Sequence, residues 1–494
     1  RRRHMLALAG WIAGLGTALA VLPNHLFSPE TLHVTLAIGV LAIWRFGWWF
    51  NHARRSEIFA ARVWPALRDR RDRLWRSGWR PPHLHIQMTT YKERPEITRR
   101  VMGSLIDQIR ATGIPTTIWV GTAARSDEQV IRDFVETHGA DVPAELVFIR
   151  QNQPGKRMAI GLIMRAIIRR GAGPDDLIVF MDGDTVFGHA ALRRAAGMFG
   201  ADPELQALTT DEHVVGFGPA WMIRWLEMRF AQRRLAMQSH TMSGKVLTLT
   251  GRMSMFRARH ILNERFVRTI EADHLDHWLW GRFRFLSGDD KSTWYYMLTV
   301  GAKMAYVPDA PVYTIEVIEG RGLERMVQNL RRWSGNMLRN GSRALALGPR
   351  RVGPFIWWCV LDQRIAIWTM LVSPAMAVMV SLAEPGYMIG AVLWILMSRL
   401  VLSLYLIRYA RTPDLGWPVI LYLNQLVNAC VKVYLQYHLK SQSWANRGGQ
   451  RALSDGLNDL MRSAIAKLQM ATALTAFLWA VAMMAGLVPF PSLP

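Results

Sequence analysis

Two carboxylates one residue apart close an apolar run of the chain: Leu177-Ile-Val-Phe-Met181 leads into Asp182-Gly-Asp184. Such a run reads as a buried parallel strand, and ligands of open α/β sheets collect where those strands end. Two hard oxygen ligands flanking a glycine suit Mg²⁺ or Mn²⁺, an ion that can be shared with a diphosphate. The same residues also fit an ordinary Asp-Gly turn, so the surroundings of the pair have to decide.

Further polar clusters could share a site with it. Thr89-Thr-Tyr-Lys-Glu-Arg94 follows a strand, and Glu93 could accept hydrogen bonds from a base or ribose, or simply flank the helix that starts near Glu96. Pro154-Gly-Lys-Arg157 presents Lys156 and Arg157 on a tight turn before a helix, a setting for a diphosphate, with surface charge as the plain alternative. In Ser287-Gly-Asp-Asp-Lys291 a carboxylate could take a proton from an attacking hydroxyl, or Asp289 or Asp290 could cap a helix. In Gln328-Asn-Leu-Arg-Arg-Trp333, Arg332 and Trp333 could hold a phosphate and a sugar, or anchor the chain at a membrane interface.

The elements that must position these groups form a strand-helix repeat. Strands are expected at 83–88, 116–120, 145–149 and 177–181, with helices at 96–108, 127–137 and 158–170 between them. That order predicts a soluble α/β domain over 82–345 with a parallel sheet and its site above the strand ends.

Both sides of this domain have membrane texture. The chain is 51% hydrophobic with 21 Trp and 26 Met, and carries a net charge of +23. That surplus suits an anionic leaflet or an acidic substrate. Nucleic acid is set aside, because none of its usual motifs occurs and many of the charges flank apolar spans. Segments 6–26 and 32–50 are each long enough to span a hydrocarbon core of about 30 Å, with Arg45 expected to snorkel to the interface. Residues 1–52 therefore read as two transmembrane helices, and the arginine-rich 53–81 as a juxtamembrane segment on the cytoplasmic side. In 346–494, stretches 365–382, 387–407 and 468–487 read as spans. Val419–His438 carries Asn424, Asn428 and Lys432 on one face and reads as an interface helix, giving five spans, or six if it crosses. Ser454 is a plausible N-cap for an amphipathic stretch to Lys467. Cys359 and Cys430 lie in apolar segments without metal-ligand or redox spacing. There is no cleavable signal pattern, and the flank 1–4 is left out of the fold.

The order of these motifs, from nucleotide strand through Asp-x-Asp and Gly-Asp-Asp to an Arg-Trp beside the membrane, resembles the processive, membrane-embedded family 2 glycosyltransferases that include cellulose, chitin and hyaluronan synthases. The likeness is strongest to the alginate-polymerising mannuronan synthases, carried by Met181-Asp-Gly-Asp-Thr-Val186, Leu208-Thr-Thr210, Arg229-Phe-Ala-Gln-Arg233, Val246-Leu-Thr-Leu-Thr-Gly-Arg-Met-Ser254, Phe285-Leu-Ser-Gly-Asp-Asp-Lys-Ser292, Tyr306-Val-Pro-Asp-Ala310, Asp362-Gln-Arg364 and Gln442-Ser-Trp444. The resemblance implies a cytoplasmic GT-A-like domain inserted between transmembrane helices of a bacterial inner-membrane protein. It also implies GDP-mannuronate as donor and a growing β-1,4-polymannuronate chain as product, passed across the membrane, with a UDP-sugar-using synthase of the hyaluronan or cellulose kind and a non-catalytic membrane export scaffold as the alternatives.

Carried over residue by residue, the resemblance puts Asp182 and Asp184 on the metal and diphosphate and Asp290 in the role of base. Lys156 and Arg332 would share the diphosphate charge, and Trp333 would lie against sugar. Arg252, in the segment corresponding to the acceptor pocket, is the candidate for the uronate carboxylate, with Arg157 and Lys291 as alternatives. Implied partners are membrane lipid, a cyclic di-GMP-binding co-polymerase and an envelope export complex. Three departures stand out. The family's base-holding Asp-Asp is Gly121-Thr-Ala-Ala124 here, with Asp127 a weak substitute; Asn329 replaces the first Gln of the membrane-proximal motif; and Ser443-Trp-Ala-Asn-Arg447 matches the gating segment of hyaluronan and chitin synthases only in part.

Overall fold

A computed structural model describes residues 6, 9–17, 20, 31–152, 155–318, 320–412, 414–444, 450–451 and 456–489. Part of the expected first span, Pro154, Ser454 and residues 445–447 of the gating-like segment lie outside them.

The α/β expectation is borne out. β1 (Leu84–Thr89), β2 (Thr116–Thr122), β3 (Ala144–Arg150), β4 (Leu177–Asp182), β5 (Thr185–Phe187), β6 (Leu205–Phe217) and β7 (Met253–Arg257) follow one another, with helices Pro95–Thr112, Arg125–His138 and Lys156–Arg169 between the first four. β8 (His274–His277) and β9 (Gly281–Arg284) form a separate hairpin, and β10 (Lys303–Val317) returns to the main sheet. Local chemistry sets the boundaries. The helix Pro95–Thr112 opens on a proline, whose fixed φ suits the first turn, and stops at Gly113 with φ +64°.

The sheet itself corrects the expectation of an all-parallel arrangement. Its strand order is β3-β2-β1-β4-β7-β6-β10-β5. The first four strands are parallel, but β7 runs antiparallel to both β4 and β6, and β5 antiparallel to β10. Apolar layers cover both faces, which is why β4 reads as a continuous apolar run. One layer packs Val101, Leu105 and Ile109 with Leu192 and Phe199, the other Ile160, Ile163 and Ile167 with Phe266 and Trp294.

Among the described residues, five helical runs are long and apolar enough to cross a membrane: Leu32–Arg76, Pro354–Ser381, Tyr387–Tyr409, Trp417–Tyr437 and Asn458–Met484. The first is one continuous helical run, so the expected boundary at residue 53 has no counterpart in the backbone. Leu36, Val40 and Ile43 on it are exposed, as lipid-facing side chains would be. Arg45 does not snorkel; it makes a bidentate ion pair with Asp362 of the helix Pro354–Ser381. Nor does all of the arginine-rich stretch face outward. Arg71 is buried and donates from both terminal nitrogens to Asp309 at 2.8 Å, which docks the end of the first run on the α/β domain.

Trp417–Tyr437, expected at the interface, turns its polar face inward. Trp225 Nε1 donates to Asn424 Oδ1 at 2.9 Å and Ser334 Oγ to Asn428 Oδ1 at 2.9 Å. The two asparagines of the polar stripe are explained by packing against helices Ala220–Thr241 and Gly322–Ala346.

Candidate active site

β4 delivers Asp182 beside Thr89, its register partner at the end of β1. The chain then turns sharply, and Gly183 N–H donates to Thr89 O at 3.1 Å. A Cβ at Gly183 would fall 2.7 Å from that oxygen, so the glycine between the aspartates is required by the close approach of two backbones. A second tight crossing brings in Thr250-Gly-Arg252: a Cβ on Gly251 would lie 3.2 Å from both Asp182 Oδ2 and Lys156 Nζ.

Lys156 starts the helix Lys156–Arg169, and its Nζ sits 2.6 Å from Asp182 Oδ1 and 2.8 Å from Asp289 Oδ2. Asp289 and Asp290 open the helix Asp289–Thr299, after Gly288 at φ +83°. Asp182, Lys156, Thr250, Asp289 and Asp290 line one cavity. The two motifs that sequence separates by about a hundred residues are thus one cluster.

The electrostatics divide its carboxylates. Burial would raise Asp289, but Lys156 and Arg157 hold it below its ordinary range. Burial raises the Asp290 carboxyl; Lys291 opposes the rise and Asp289 adds to it. Asp290 accepts a long 3.4 Å contact from Thr248 Oγ1, and the Lys291 backbone N–H also opposes the rise. Burial, then Asp182, push the Asp184 carboxyl up to about 6, with Arg252 opposing and Glu93 adding to the rise. Among the described residues the Asp184 side chain has no hydrogen bond or ion pair. An uncompensated carboxylate beside a second one is a donor set that a hard divalent cation fits.

Glu93 lies close enough to act on Asp184, and Thr90 Oγ1 donates to the buried Asp127 at 3.1 Å beside it. Arg252 reaches the cluster too, yet its Nη1 donates to Glu212 at 3.3 Å, so part of its charge is already matched. Arg332 feels Glu316, Arg252 and Asp290, and burial lowers its pKa. Trp333 stands apart from the acids, stacked on Trp225 at 6.0 Å with the Arg229 guanidinium 5.4 Å from its ring. Gln328 donates to Glu324 on an exposed face, whereas Asn329 is buried with Nδ2 unpartnered.

Two candidates are occupied elsewhere. Arg157 donates to Ile270 O and Ser287 O at 2.9 Å and to Ser292 Oγ at 3.1 Å, which clamps the segment carrying Asp289 and Asp290. Lys291 Nζ donates to Leu247 O at 2.8 Å. Sequence reasoning stopped short of Asp289 as the partner of Lys156, and of Glu212. The signal for Glu212 was a pair of acids in Thr209-Thr-Asp-Glu-His213, where a buried strand should be apolar. Asp211, its neighbour there, is held by Arg234 and Tyr306 Oη at 2.8 Å each.

Residues 81–336 match the family described as "Glycosyltransferase like family 2". The chain is 35% identical to "Glycosyltransferase alg8" of Pseudomonas syringae pv. tomato, covering 90% of this chain and 92% of that one. The protein of the same name from Azotobacter vinelandii is also 35% identical, at the same coverage of both. An "N-acetylglucosaminyltransferase" of Rhizobium meliloti is 24% identical over 58% of this chain and 62% of its own. Among solved structures, a mannosyltransferase from Pyrobaculum calidifontis in complex with GDP-Man and Mn²⁺ aligns at a TM-score of 0.39 with 14% identity, over 88% of this chain and 98% of that one.

Proposed function

Since the chain belongs to the family 2 glycosyltransferases, we propose that it polymerises mannuronate from GDP-mannuronate into a β-1,4-linked alginate precursor and passes the product across the bacterial inner membrane. The reading is carried by one observation, the cavity that brings Asp182 together with Asp289 and Asp290, with Asp184 close enough to Asp182 to be raised by it. Its sugar rests on the likeness to the alg8 glycosyltransferases, which spans most of both chains.

Inversion by a single displacement needs one base and no nucleophilic side chain. Asp290, with its carboxyl unpaired by any cation within hydrogen-bond reach, takes the proton of the acceptor hydroxyl. Lys156 stands between Asp182 and Asp289, ready to turn one of its hydrogen bonds to the donor's diphosphate. Arg332 adds a second cation, and Glu93 with Asp127 offers acceptors on the nucleotide side. Asp182 and Asp184 would hold a Mg²⁺ or Mn²⁺ ion, whose charge would favour departure of the GDP group. Arg252, shared with Glu212, meets the uronate carboxylate, and Trp333 lies against the sugar chain beyond. The arginine-rich end of the first helix sets this domain on the cytoplasmic side. A cyclic di-GMP-binding co-polymerase and an envelope export complex complete the reading.

The test is to incubate membranes carrying the protein with GDP-mannuronate and to score the product with an alginate lyase. Asp290→Asn should abolish polymer, a loss of at least about 10²–10⁴-fold, while GDP-sugar binding stays measurable. Retained turnover would sink the base assignment. Product that the lyase leaves intact, or a UDP-sugar that competes better than GDP, would sink the donor.

A further inference from the structure

Three residues that the sequence keeps far apart meet beside the first helical run. His52 lies on that run, His240 in the last turn of the helix Ala220–Thr241, and Cys359 on the helix Pro354–Ser381. One ring nitrogen of each histidine and the Cys359 sulfur all lie within 4.8 Å of one another. Cys359 and His240 are buried, at 5% and 4% exposure, whereas His52 is half-buried and keeps part of its surface open.

Local contacts set the ligand atoms. His52 Nδ1 and Ser239 Oγ are 3.0 Å apart, so with its proton on Nδ1 the ring donates to the hydroxyl and carries its lone pair on Nε2. Nε2 faces the Cys359 sulfur at 3.9 Å. The backbone oxygen of the same Ser239 accepts from Arg55 Nε and Nη2 at 3.2 and 3.1 Å, which fixes this end of the helix against the first run. His240 Nδ1 is buried with no hydrogen-bond partner among the described residues. A buried polar atom left unpaired costs about 1–3 kcal/mol, so this ring lacks a partner that a bound ion supplies. Phe355 lies 5.3 Å from the His52 ring and 6.4 Å from the His240 ring, and Trp48 lies 4.8 Å from His52, an aromatic wall that limits access of water.

The donor types select the ion. Two imidazoles and a thiol, with no carboxylate among them, suit a borderline-soft ion such as Zn²⁺, and not the Mg²⁺ or Mn²⁺ that the oxygen ligands of the acid cluster fit. In a tetrahedral Zn²⁺ site, bonds of about 2.0–2.3 Å put neighbouring ligand atoms about 3.3–3.6 Å apart. Spacings of 3.9 Å and up to 4.8 Å therefore have to close by about 1.5 Å at most.

We propose that His52, His240 and Cys359 form a Zn²⁺ site that pins the first helical run and the helix Pro354–Ser381 to the end of Ala220–Thr241. Binding replaces the S–H bond of Cys359 by a sulfur–zinc bond and releases the thiol proton to solvent. Both imidazoles bind neutral, and water fills the fourth position. The site shares no residue with the acid cluster and is independent of the polymerase reading.

The test uses the full chain in nanodiscs, stripped with chelator and then kept in excess Mg²⁺ to occupy oxygen-ligand sites. Co²⁺, as a spectroscopic probe for Zn²⁺, should give a thiolate-to-cobalt charge-transfer band that Zn²⁺ abolishes by displacement. Cys359→Ser should lose the band, whereas Cys430→Ser, at the exposed cysteine of Trp417–Tyr437, should keep it. In competition with a chromophoric chelator, His52→Asn and His240→Asn should each weaken Zn²⁺ binding at least about 100-fold, and Ser239→Ala about tenfold. Zn²⁺ should raise the melting temperature of wild type and not that of Cys359→Ser or His240→Asn. A wild type without the band, a band that survives in Cys359→Ser, or histidine variants that bind Zn²⁺ as wild type does would overturn the proposal. So would Zn²⁺ that binds without raising the melting temperature, because such an ion pins nothing. The wild-type band and melting shift decide the matter even where a variant fails to fold.

Discussion

Replacing Asp184 by asparagine should stabilise the metal-free protein while ending its activity. The Asp184 carboxyl is raised from 3.8 to about 6, first by burial and then by Asp182. That difference corresponds to about 3 kcal/mol of lost preference for the ionised form on folding. A carboxyl raised in this way adds stability while protonated, below about pH 4, and the contribution is lost as pH rises through about 6. At pH 8 the ionised group therefore works against the fold by up to about 3 kcal/mol, an upper limit because the side chain is only half-buried. Asp184→Asn keeps the shape and removes the charge. In detergent with chelator at pH 8, the variant should melt higher than wild type by as much as roughly 3 °C. The gap should close between about pH 6 and pH 4, where wild-type Asp184 takes up its proton. Mn²⁺ should raise the melting temperature of wild type and not of the variant. A variant that melts lower at pH 8, or a gap that persists unchanged at pH 4, would refute the reasoning, because either outcome means the carboxylate is already compensated.

Lys156→Met leaves Asp182 and Asp289 facing each other, and by the cost of breaking a buried pair it should destabilise the protein by about 3–5 kcal/mol, read by thermal melting, and weaken GDP-sugar binding. Lys291→Met removes the cation that opposes the rise of the Asp290 carboxyl. Asp290 must be ionised to act as base, so activity falls as pH drops through its pKa, and the acid limb of the kcat–pH profile should move to higher pH in this variant. An unmoved limb would place the base elsewhere. Arg252→Ala should slow polymerisation and raise the KM for the donor; a variant that polymerises at the normal rate removes Arg252 as the carboxylate partner.

The fold's local steps were legible because they are local. Apolar runs and their flanking Pro, Gly and charged residues located all seven elements from β1 to β4 to within a few residues. β7 was not, since its antiparallel place between β4 and β6 depends on pairing Leu177 with Arg257 and Ala207 with Phe256, partners that no local pattern announces. The same limit applies to charges. Short motifs singled out Asp182, Asp184, Lys156 and Asp290, but not that Lys156 and Arg157 hydrogen-bond to different partners. Adjacent helical residues point about 100° apart, so here the two cations take different hydrogen-bond partners, Lys156 the carboxylates of Asp182 and Asp289, Arg157 the carbonyls of Ile270 and Ser287. Arg45 and Asp362 are 317 residues apart, and only packing shows that an arginine in an apolar stretch has a carboxylate waiting for it.

That rotation also accounts for the division of labour in Asp289-Asp290. Both open one helix, where the backbone N–H groups favour negative charge, so position along the chain does not distinguish them. Direction does. Asp289 turns toward Lys156 and is held ionised as a structural anion, and its charge helps to raise Asp290 beside it. A carboxylate whose neighbour absorbs the available lysine keeps its proton affinity, the property a base needs when the acceptor hydroxyl approaches. Arg157, clamped on Ser287 O and Ser292 Oγ, fixes the turn that sets this direction. Both halves of Lys156-Arg157 therefore serve the proposed base, one by occupying Asp289 and the other by holding the turn that carries Asp290.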